Sequence, residues 1–319
     1  MFNMNEYLFL QKNKSNQVRL DSFVSESLGV SRSKAQKLIL DKLVSVNGEL
    51  KKKNHILKNG DKIIVNHRGD EEYVAGNASA TCDYELDIIE ETPDYIAVNK
   101  PSGLVVHPDC SHPTGSTLID LVVSRFPEIS KVGDDPTRPG VVHRLDKLVS
   151  GVMIIARTQN MFDHLKNQFK NHTIQKKYIA LVHGAVIPEF DSIDYTISRK
   201  KTGFMSAHTD KSIGKDAITE IEVAQRFPNS TLLHVFPRTG RTHQIRVHLF
   251  AYGHPIIGDN IYSNSKTKRL SIDKKINRPF LHAHSIGFKD TRDTQRFHVA
   301  DMDLVLQSFL DELNKKYGK

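Results

Sequence analysis

The sequence predicts an α+β protein in which a small α/β module precedes a larger domain built on a mixed, largely antiparallel sheet. The chain has 319 residues, more than one ordinary domain. Over residues 67–82, glycine, asparagine, serine and acidic residues replace any apolar period, which is typical of a linker. Beyond it, strand-like runs follow one another with few helices between them. We therefore expect an N-terminal extension at 1–17, the module at 18–66 and the larger domain at 83–319.

The module is predicted to contain two short helices followed by two strands. Apolar residues at helical spacing indicate a first helix from about Leu20 to Gly29, and Ser31 or Ser33 could cap a second. The inward positions of the second helix would be Ala35, Leu38 and Ile39. Its opposite face would display Arg32, Lys34 and Lys37. Two strand-like runs follow, LVSVNG with its Asn47-Gly48 turn and then GDKIIV.

This order of elements resembles the small RNA-binding module known as the S4 type, after a ribosomal protein. The resemblance rests on SRSKAQKLI, VSVNGE and GDKI. It implies recognition of structured RNA through the face of the second helix, with Arg32, Lys34 and Lys37, and through the loop after it. Lys42 departs from the family pattern, because glycine is common at that position before the strand. The turn at Lys42 is therefore expected to differ from that of the family.

Basic residues are concentrated in this part of the chain. Residues 12–68 contain 13 lysines and arginines and 5 acidic residues, a net charge of +8, whereas the rest of the chain contains 32 of each sign. Such a segment favours attraction to a polyanion, and nucleic acid is the commonest polyanion in the cytoplasm. A solvated, lysine-rich surface would have the same composition, so charge alone leaves both interpretations open.

The larger domain is predicted from runs of β-branched and aromatic residues. The strand-like runs are DYIAVNKP, GVVHRLD, GVMIIA, KKYIALVHGAV, AITEIEVAQRF and STLLHVFP. Amphipathic helices are expected at NMFDHLKNQFK and RTHQIRVHLFAYG. Asp146 lies at a polar crossing between a strand expected to end at Val142 and another from Val152 to Ala156. A charged residue at such a crossing is displayed rather than packed.

Four segments of the larger domain contain more polar residues than a fold requires: NKPSGLVVHP, RPGVVHRLDK, PRTGRTHQIRVHL and GHPIIGDNIY. Taken singly, each has a structural interpretation as a turn, an ion pair or an amphipathic helix. Together and in this order, they resemble the RluA-type RNA pseudouridine synthases, and with the basic module in front, the branch that acts on large-subunit ribosomal RNA. After HRLDK the family usually continues Asp-Thr-Ser-Gly, whereas here Leu148 and Val149 precede Ser150-Gly151.

The resemblance implies an isomerase that converts uridine to pseudouridine and assigns roles to individual residues. Asp146 matches the family's nucleophile, a role that carboxylates also have at sugar carbons. Arg246 matches the arginine that pairs with it, and Tyr178 matches the tyrosine that lies against the uracil. Arg144 matches an arginine that fills the space left by a flipped nucleotide. Further substrate contacts are expected from His143, Arg241, His243 and Gln244.

Other features exclude several classes of protein. The N-terminus has only a short apolar run from Tyr7 to Leu10, and no window is long enough to span a membrane. With only Cys82 and Cys110, neither a disulfide framework nor a zinc site is expected. The candidate metal ligands are four scattered histidines without a completing carboxylate: His107, His143, His243 and His248. We expect a cytoplasmic protein with no metal and no nucleotide cofactor.

Two alternatives to an isomerase remain open from the sequence. The chain could be a non-catalytic RNA-binding factor of ribosome assembly with the same fold, and the altered KLVSG stretch favours that alternative. It could also be a glycosidase-like RNA hydrolase, which would use the same aspartate but normally needs a second carboxylate as general acid. The expected partner in the leading interpretation is ribosomal RNA or an assembling large ribosomal subunit.

Overall fold

A computed structural model of the chain describes residues 2–10, 18–28, 32–68, 84–107, 117–200, 202–265, 267 and 276–318. The chain divides into two compact units, residues 1–74 and 75–319. Each unit has its own sheet and its own apolar core.

The small unit is a four-stranded antiparallel sheet with two helices. Its elements are β1 (Phe2–Leu8), α1 (Leu20–Leu28), α2 (Arg32–Leu40), β2 (Val44–Val46), β3 (Glu49–Leu50) and β4 (Lys62–Arg68). The strand order is β1-β4-β2-β3. Ala35 and Ile39 are buried in the core and Leu38 packs against it, so the predicted inward face of the second helix is confirmed. Gly29 and Ser31 lie outside the described residues.

The N-terminal segment differs from the expectation of a separate extension at 1–17. Strand β1 pairs with β4 from Phe2 opposite Arg68 to Leu8 opposite Lys62, so it belongs to the sheet of the small unit. The sequence did not indicate this strand, because three polar residues interrupt its apolar pattern: Asn3, Asn5 and Glu6. Its pairing partner also lies some sixty residues later in the chain. Strand β4 in turn extends through 67 and 68, the first two residues assigned to the linker.

Lys42 keeps the turn that glycine usually makes at this position. Its φ is +61°, in the left-handed region that disfavours side chains with a Cβ atom. The turn connects α2 to β2, and the Lys42 backbone N–H donates to the Ile39 carbonyl at 3.2 Å. A residue with a Cβ atom therefore adopts a strained backbone conformation at this turn.

The large unit is a ten-stranded sheet with helices on both faces. Its strands are β5 (Ile88–Glu91), β6 (Tyr95–Lys100), β7 (Ser150–Ala156), β8 (Gln175–His183), β9 (Phe190–Arg199), β10 (Met205–His208), β11 (Lys215–Phe227), β12 (Ser230–Pro237), β13 (Leu281–Lys289) and β14 (Gln295–Val299). Its helices are α3 (Leu118–Arg125), α4 (Gln159–Lys170), α5 (Gln244–Ala251) and α6 (Leu304–Tyr317), with a 3-10 turn at Pro127–Lys131.

The strand order confirms the predicted mixed, largely antiparallel sheet. It is β10-β9-β11-β12-β8-β13-β7-β6-β5, with β14 paired to β13. Among the described strands, β13 and β7 are parallel and the other pairs are antiparallel. Successive residues of β7 alternate between two apolar cores, with Met153 in the larger and Ile154 in the smaller. This burial on both faces explains the uninterrupted apolar run GVMIIA.

The crossing that carries Asp146 is formed differently from the prediction. The strand expected to end at Val142 is absent among the described residues, where Val141 makes only an isolated bridge to Ile155. Residues 143–146 have no regular structure, and the Val149 N–H donates to the Asp146 carbonyl at 3.0 Å to close a turn into β7. Short apolar runs beside polar residues favour strands in sequence, but here the Ile154 N–H on this edge of β7 donates to the His143 ring instead of to a backbone carbonyl.

Candidate active site

A cavity of about 580 Å³ in the large unit collects most of the residues that the sequence singled out. Its walls come from the crossing before β7, from β8 and from the segment between β12 and α5. The cavity is lined by Arg144, Asp146, Tyr178, Arg241, His243, Gln244 and Arg246, together with His143. Residues distant in sequence therefore meet at one concave surface, the usual form of a small-molecule or nucleotide site.

Arg246 holds two carboxylates, and they differ in exposure. Its Nη1 donates to Asp146 Oδ2 at 2.9 Å, while Nε and Nη2 donate to the two oxygens of Asp259 at 2.6 and 2.9 Å. The side chains of Arg246 and Asp259 are 5% and 0% exposed, whereas that of Asp146 is 21% exposed. Asp146 is therefore the carboxylate that a molecule in the cavity can reach.

Asp259 is the site residue that the sequence analysis missed. Besides Arg246, it accepts hydrogen bonds from the backbone N–H groups of Ile261 and Tyr262. Burial acts to raise its pKa, but these donors outweigh burial and lower the pKa. Burial acts to lower the pKa of Arg246, but its two carboxylates raise it. Asp259 therefore fixes the guanidinium as a permanent cation that presents one N–H to Asp146.

Helix α5 positions Arg246, and Gln244 holds the start of that helix. The Gln244 oxygen accepts from the Thr239 hydroxyl and the Arg241 N–H, and its nitrogen donates to the Ile218 carbonyl and the Thr219 hydroxyl. All these bonds lie within the protein, and the residue is buried. The expectation that Gln244 binds substrate is therefore corrected to a positioning role, because its amide is already satisfied.

His243 lies beside the carboxylate of Asp146. Its Nε2 is 3.8 Å from Asp146 Oδ2, and its Nδ1 is 2.8 Å from the Tyr262 hydroxyl. The residue precedes α5 in a left-handed conformation, with φ of +55°. Burial lowers the pKa of His243, although the Asp146 charge opposes that shift. The ring is thus anchored at one nitrogen and turns the other towards Asp146.

Tyr178 supplies an aromatic surface to the same cavity. It lies on β8, and its hydroxyl makes no hydrogen bond with the described residues. Burial and the nearby Asp146 charge raise the pKa of its hydroxyl, so the phenol stays protonated. A neutral ring close to the exposed carboxylate can accept a planar base by stacking.

The remaining predicted contacts lie around the rim and the opposite wall. Arg144 is exposed at the rim, and Arg241 uses its Nε for the Asp216 carbonyl at 3.0 Å. His143 accepts the Ile154 N–H at its Nε2 and stacks on Phe169 with ring centroids 4.9 Å apart. Its orientation is therefore fixed by the protein.

A second set of buried polar groups supports the turn from Asp146 to Ser150. The Lys100 ammonium donates to the carbonyls of Pro101, Leu104 and Lys147, and burial and the Arg278 charge lower its pKa to about 7. Arg278 donates to the Ser150 hydroxyl at 2.8 Å. Lys100 therefore holds the turn at Lys147, and Arg278 holds it at Ser150.

Gly151 allows the close approach of β13 behind the turn. Its φ is +124°, and a Cβ atom there would lie 2.2 Å from the Ala283 carbonyl oxygen. Val149 is buried in the larger core, and Leu148 is partly exposed. The turn is closed by backbone bonds, so it does not depend on the polar side chains that usually occupy 148 and 149.

Among the residues that the structure describes, no group of three or more His, Cys, Asp or Glu side chains could hold a metal ion. None of the described helices is long and apolar enough to cross a membrane.

Comparison with known proteins identifies the class of RNA-modifying enzymes to which this fold and this site belong. The family described as RNA pseudouridylate synthase matches residues 94–251, and the S4 domain matches residues 18–63. An uncharacterised RNA pseudouridine synthase of Synechocystis is 36% identical, covering 85% of this chain and 81% of the relative. The ribosomal large subunit pseudouridine synthase D of Escherichia coli O157:H7 is 34% identical, covering 83% and 81%.

Solved structures agree with these relatives. The human RNA pseudouridylate synthase domain containing 1 superimposes with a TM-score of 0.56 at 25% identity, covering 70% of this chain and 86% of that one. The chain therefore belongs to the RNA pseudouridine synthase family, and the two resemblances found in the sequence are confirmed.

Proposed function

We propose that the protein isomerises specific uridines of large-subunit ribosomal RNA to pseudouridine, with Asp146 as nucleophile and without a cofactor. The observation that carries the proposal is the cavity in which Asp146, partly exposed and paired to Arg246, lies near the ring of Tyr178. The relatives named as synthases of the large ribosomal subunit support the choice of RNA. Such a substrate agrees with the cytoplasmic location expected from the sequence.

The reaction breaks the N1–C1′ bond of the uridine and joins C1′ to C5, so C5 loses a proton and N1 gains one. The ionised carboxylate of Asp146 can form a transient bond to the substrate, as carboxylates do in other glycosyl transfers. Arg246 orients this carboxylate by a charge-assisted hydrogen bond from Nη1 to Asp146 Oδ2 at 2.9 Å. Tyr178 would hold the detached uracil by stacking while the ring turns.

The target uridine must leave its stack to reach this cavity. Arg144 is exposed at the cavity rim and carries no described ion pair, so it is free to occupy the space that the flipped base leaves in the RNA. The S4 domain would contribute affinity for structured RNA through Arg32, Lys34 and Lys37. These residues lie on α2, and the placement of their side chains falls outside what the structure describes.

The hydrolase alternative loses support from the bonding of Asp259. A hydrolase of this type needs a second carboxyl group to protonate the leaving group. Asp259 is the carboxylate next to Asp146, but it is buried against Arg246 and two backbone N–H groups. The non-catalytic alternative rested on the altered stretch at Leu148 and Val149, and the turn there is closed by backbone bonds.

The test is conversion of uridine in large-subunit ribosomal RNA by the purified protein. We expect pseudouridine at defined positions, with the RNA mass unchanged, from the wild-type protein and none from Asp146→Asn. Mapping pseudouridines in ribosomal RNA from cells with and without the gene would identify the positions. Loss of a base would establish a hydrolase, and RNA binding without conversion would establish a non-catalytic factor.

A further inference from the structure

One wall of the cavity carries a partly buried cation that no carboxylate of the described residues neutralises. Lys176 lies on β8 two residues before Tyr178, so both side chains point to the same face of the strand and both line the cavity. Its ammonium donates to the Thr239 carbonyl at 3.1 Å. Among the described residues no Asp or Glu forms a salt bridge with it, and the charge acting on it most is that of Arg238. Two of its three N–H donors are therefore available.

His143 supplies a further donor beside this cation. Because Nε2 accepts the Ile154 N–H, the ring proton lies on Nδ1, for which the described residues provide no acceptor. Burial, and then the charge of Lys176, lower the pKa of His143 to about 3. The imidazole is therefore neutral at physiological pH, and its Nδ1–H stays a donor. Stacking on Phe169 holds the ring in place.

An ammonium group that is shielded from water and has no counter-charge is unfavourable unless a ligand supplies that charge and accepts its hydrogen bonds. Another cation of the cavity shows the contrast, since the charge of Arg246 is matched by two carboxylates, Asp146 and Asp259. In an RNA substrate, the anion available is the phosphodiester. Two residues along a strand span about 6.6 Å, so a base stacked on Tyr178 would bring the phosphates of its own nucleotide within reach of Lys176.

We propose that Lys176 and His143 form a phosphate subsite that binds a phosphodiester oxygen flanking the target uridine. The subsite rests on the proposed function, because it supposes a uridine at Tyr178. It would hold the backbone while the base is detached from the sugar, and so would keep C1′ aligned with Asp146. Lys176 is thereby assigned to substrate positioning at the reacting nucleotide, separately from the S4 domain.

The experiment combines protein variants with neutral backbone linkages. Lys176→Met removes the charge and keeps the length, and Lys176→Arg keeps the charge. Lys177→Met is the matched control, because Lys177 points to the other face of β8, where its charge acts on His234. The substrate is a ribosomal RNA fragment that the wild-type protein converts, with a methylphosphonate placed at one phosphate at a time around the target.

A charge-assisted hydrogen bond predicts a loss of about 10- to 100-fold in kcat/KM for Lys176→Met on unmodified RNA. We expect the same loss for wild type when the methylphosphonate occupies the contacted phosphate, and no further loss when the two changes are combined. Lys177→Met should behave as wild type, and Lys176→Arg should recover most of the activity. The subsite would be overturned if the losses in kcat/KM from Lys176→Met and from the methylphosphonate multiplied at every phosphate position. It would also be overturned if Lys176→Met lost no activity.

Stability provides a second readout that a structural lysine would not share. Removal of an uncompensated buried charge should leave the melting temperature of Lys176→Met unchanged or raise it. A clear fall would indicate that Lys176 holds the fold and not the substrate. Failure of the proposed function itself would be recognised separately, because the wild-type protein would then convert no uridine.

Discussion

The two units of this protein carry their positive charge in opposite ways. In the small unit, lysines such as Lys52, Lys53 and Lys58 are exposed, and the sequence around them has an excess of eight positive charges. The large unit, residues 75–319, contains 32 basic and 28 acidic residues, and in one of its cavities Arg246 is buried and Lys176 is partly buried. Exposed charge gives affinity that salt screens, whereas buried charge requires a particular partner at a particular place.

The cavity and the turn from Asp146 to Ser150 contain the same contrast on a smaller scale. Arg246 is matched by two carboxylates, Lys100 by three backbone carbonyls, and Lys176 by one carbonyl alone. The first two cations hold protein groups in position, and the third has capacity for a ligand. The partners of a buried cation therefore distinguish a positioning role from a binding role.

The largest effects are expected from the two carboxylates on Arg246. Asp146→Asn should abolish pseudouridine formation and retain RNA affinity, with little loss of stability because Asp146 is partly exposed. Asp259→Asn leaves a buried guanidinium short of its main counter-charge, and should lower the free energy of unfolding by about 3 to 5 kcal/mol. Urea unfolding and single-turnover assays on both variants measure the two effects. Equal destabilisation by the two would contradict the division of roles.

Tyr178 tests whether the aromatic surface acts by stacking. Phenylalanine keeps the ring, so Tyr178→Phe should retain substantial activity, whereas Tyr178→Ala should lose about 5- to 150-fold, since stacking a base contributes about 1 to 3 kcal/mol. Single-turnover rates on a convertible RNA distinguish the two. The same large loss in both variants would instead assign the hydroxyl a role in proton transfer.

The small unit is tested through salt. If Arg32, Lys34 and Lys37 contact phosphates, changing all three to glutamine in the full chain should make the plot of log affinity against log salt shallower by about 2 to 3. The rate at saturating RNA should change much less, because uniform binding is lost. Binding titrations and single-turnover rates between 50 and 200 mM salt, about the range where this effect is large, measure both. An unchanged slope would leave the charge of this unit as a solvated surface.

The sequence predicted the regular parts of the fold and the main residues of the cavity for different reasons. Strand β12 was predicted with its observed ends, Ser230 and Pro237, because β-branched and aliphatic residues fill it. Asp146, Tyr178 and Arg246 were found through motifs, and the structure brings all three to one cavity. The prediction of a strand ending at Val142 was wrong, because an apolar run does not reveal that the Ile154 N–H of β7 donates to the His143 ring in place of a backbone carbonyl.

The residues that were missed or misassigned depend on pairings that a sequence does not show. Asp259 lies in a glycine-rich turn thirteen residues after Arg246, and only the fold reveals that it is the buried counter-charge. Gln244 lies two residues before Arg246 in the motif, but its amide is bonded to the loop before α5 and to β11. Lys176 was passed over as one lysine in KKYIALV, because its lack of a carboxylate partner is visible only in three dimensions.

The pH dependence distinguishes the cations of the cavity further. Burial and the charge of Arg238 lower the pKa of Lys176 to about 8, and the other group facing it, His143, is neutral. Phosphate binding needs the protonated lysine, so kcat/KM should fall about tenfold per unit as pH rises above about 8. Lys176→Arg should remove this fall, because an arginine stays charged.

The titration of Lys176 also affects stability, and the free energy of unfolding should change with pH in the opposite direction to kcat/KM. The unfolded state holds the Lys176 proton up to the usual pKa of about 10.4, and the folded state releases it near pH 8. More protons are then bound in the unfolded state, so the free energy of unfolding should rise with pH across that window. Urea unfolding of wild type and Lys176→Met over this range isolates the contribution. A pH profile of kcat/KM that is identical in wild type and Lys176→Arg would refute the subsite's dependence on this lysine.

The smallest effect concerns the backbone of the small unit at Lys42. Lys42 has φ of +61°, which is unfavourable for a residue with a Cβ atom and costs about 1 kcal/mol relative to glycine. Glycine offsets part of this gain, because it increases the conformational entropy of the unfolded chain. Lys42→Gly should therefore raise the stability of this unit slightly, by up to about 1 kcal/mol, whereas Lys42→Ala should give no gain because the strain remains. Hydrogen exchange of the β2 and β4 amides in the full chain measures it. The exposed lysine also adds one positive charge, so RNA affinity should fall in both variants if that charge contacts RNA. A fall in affinity in both variants, together with a gain in stability in the glycine variant alone, would show that Lys42 costs stability and contributes to binding.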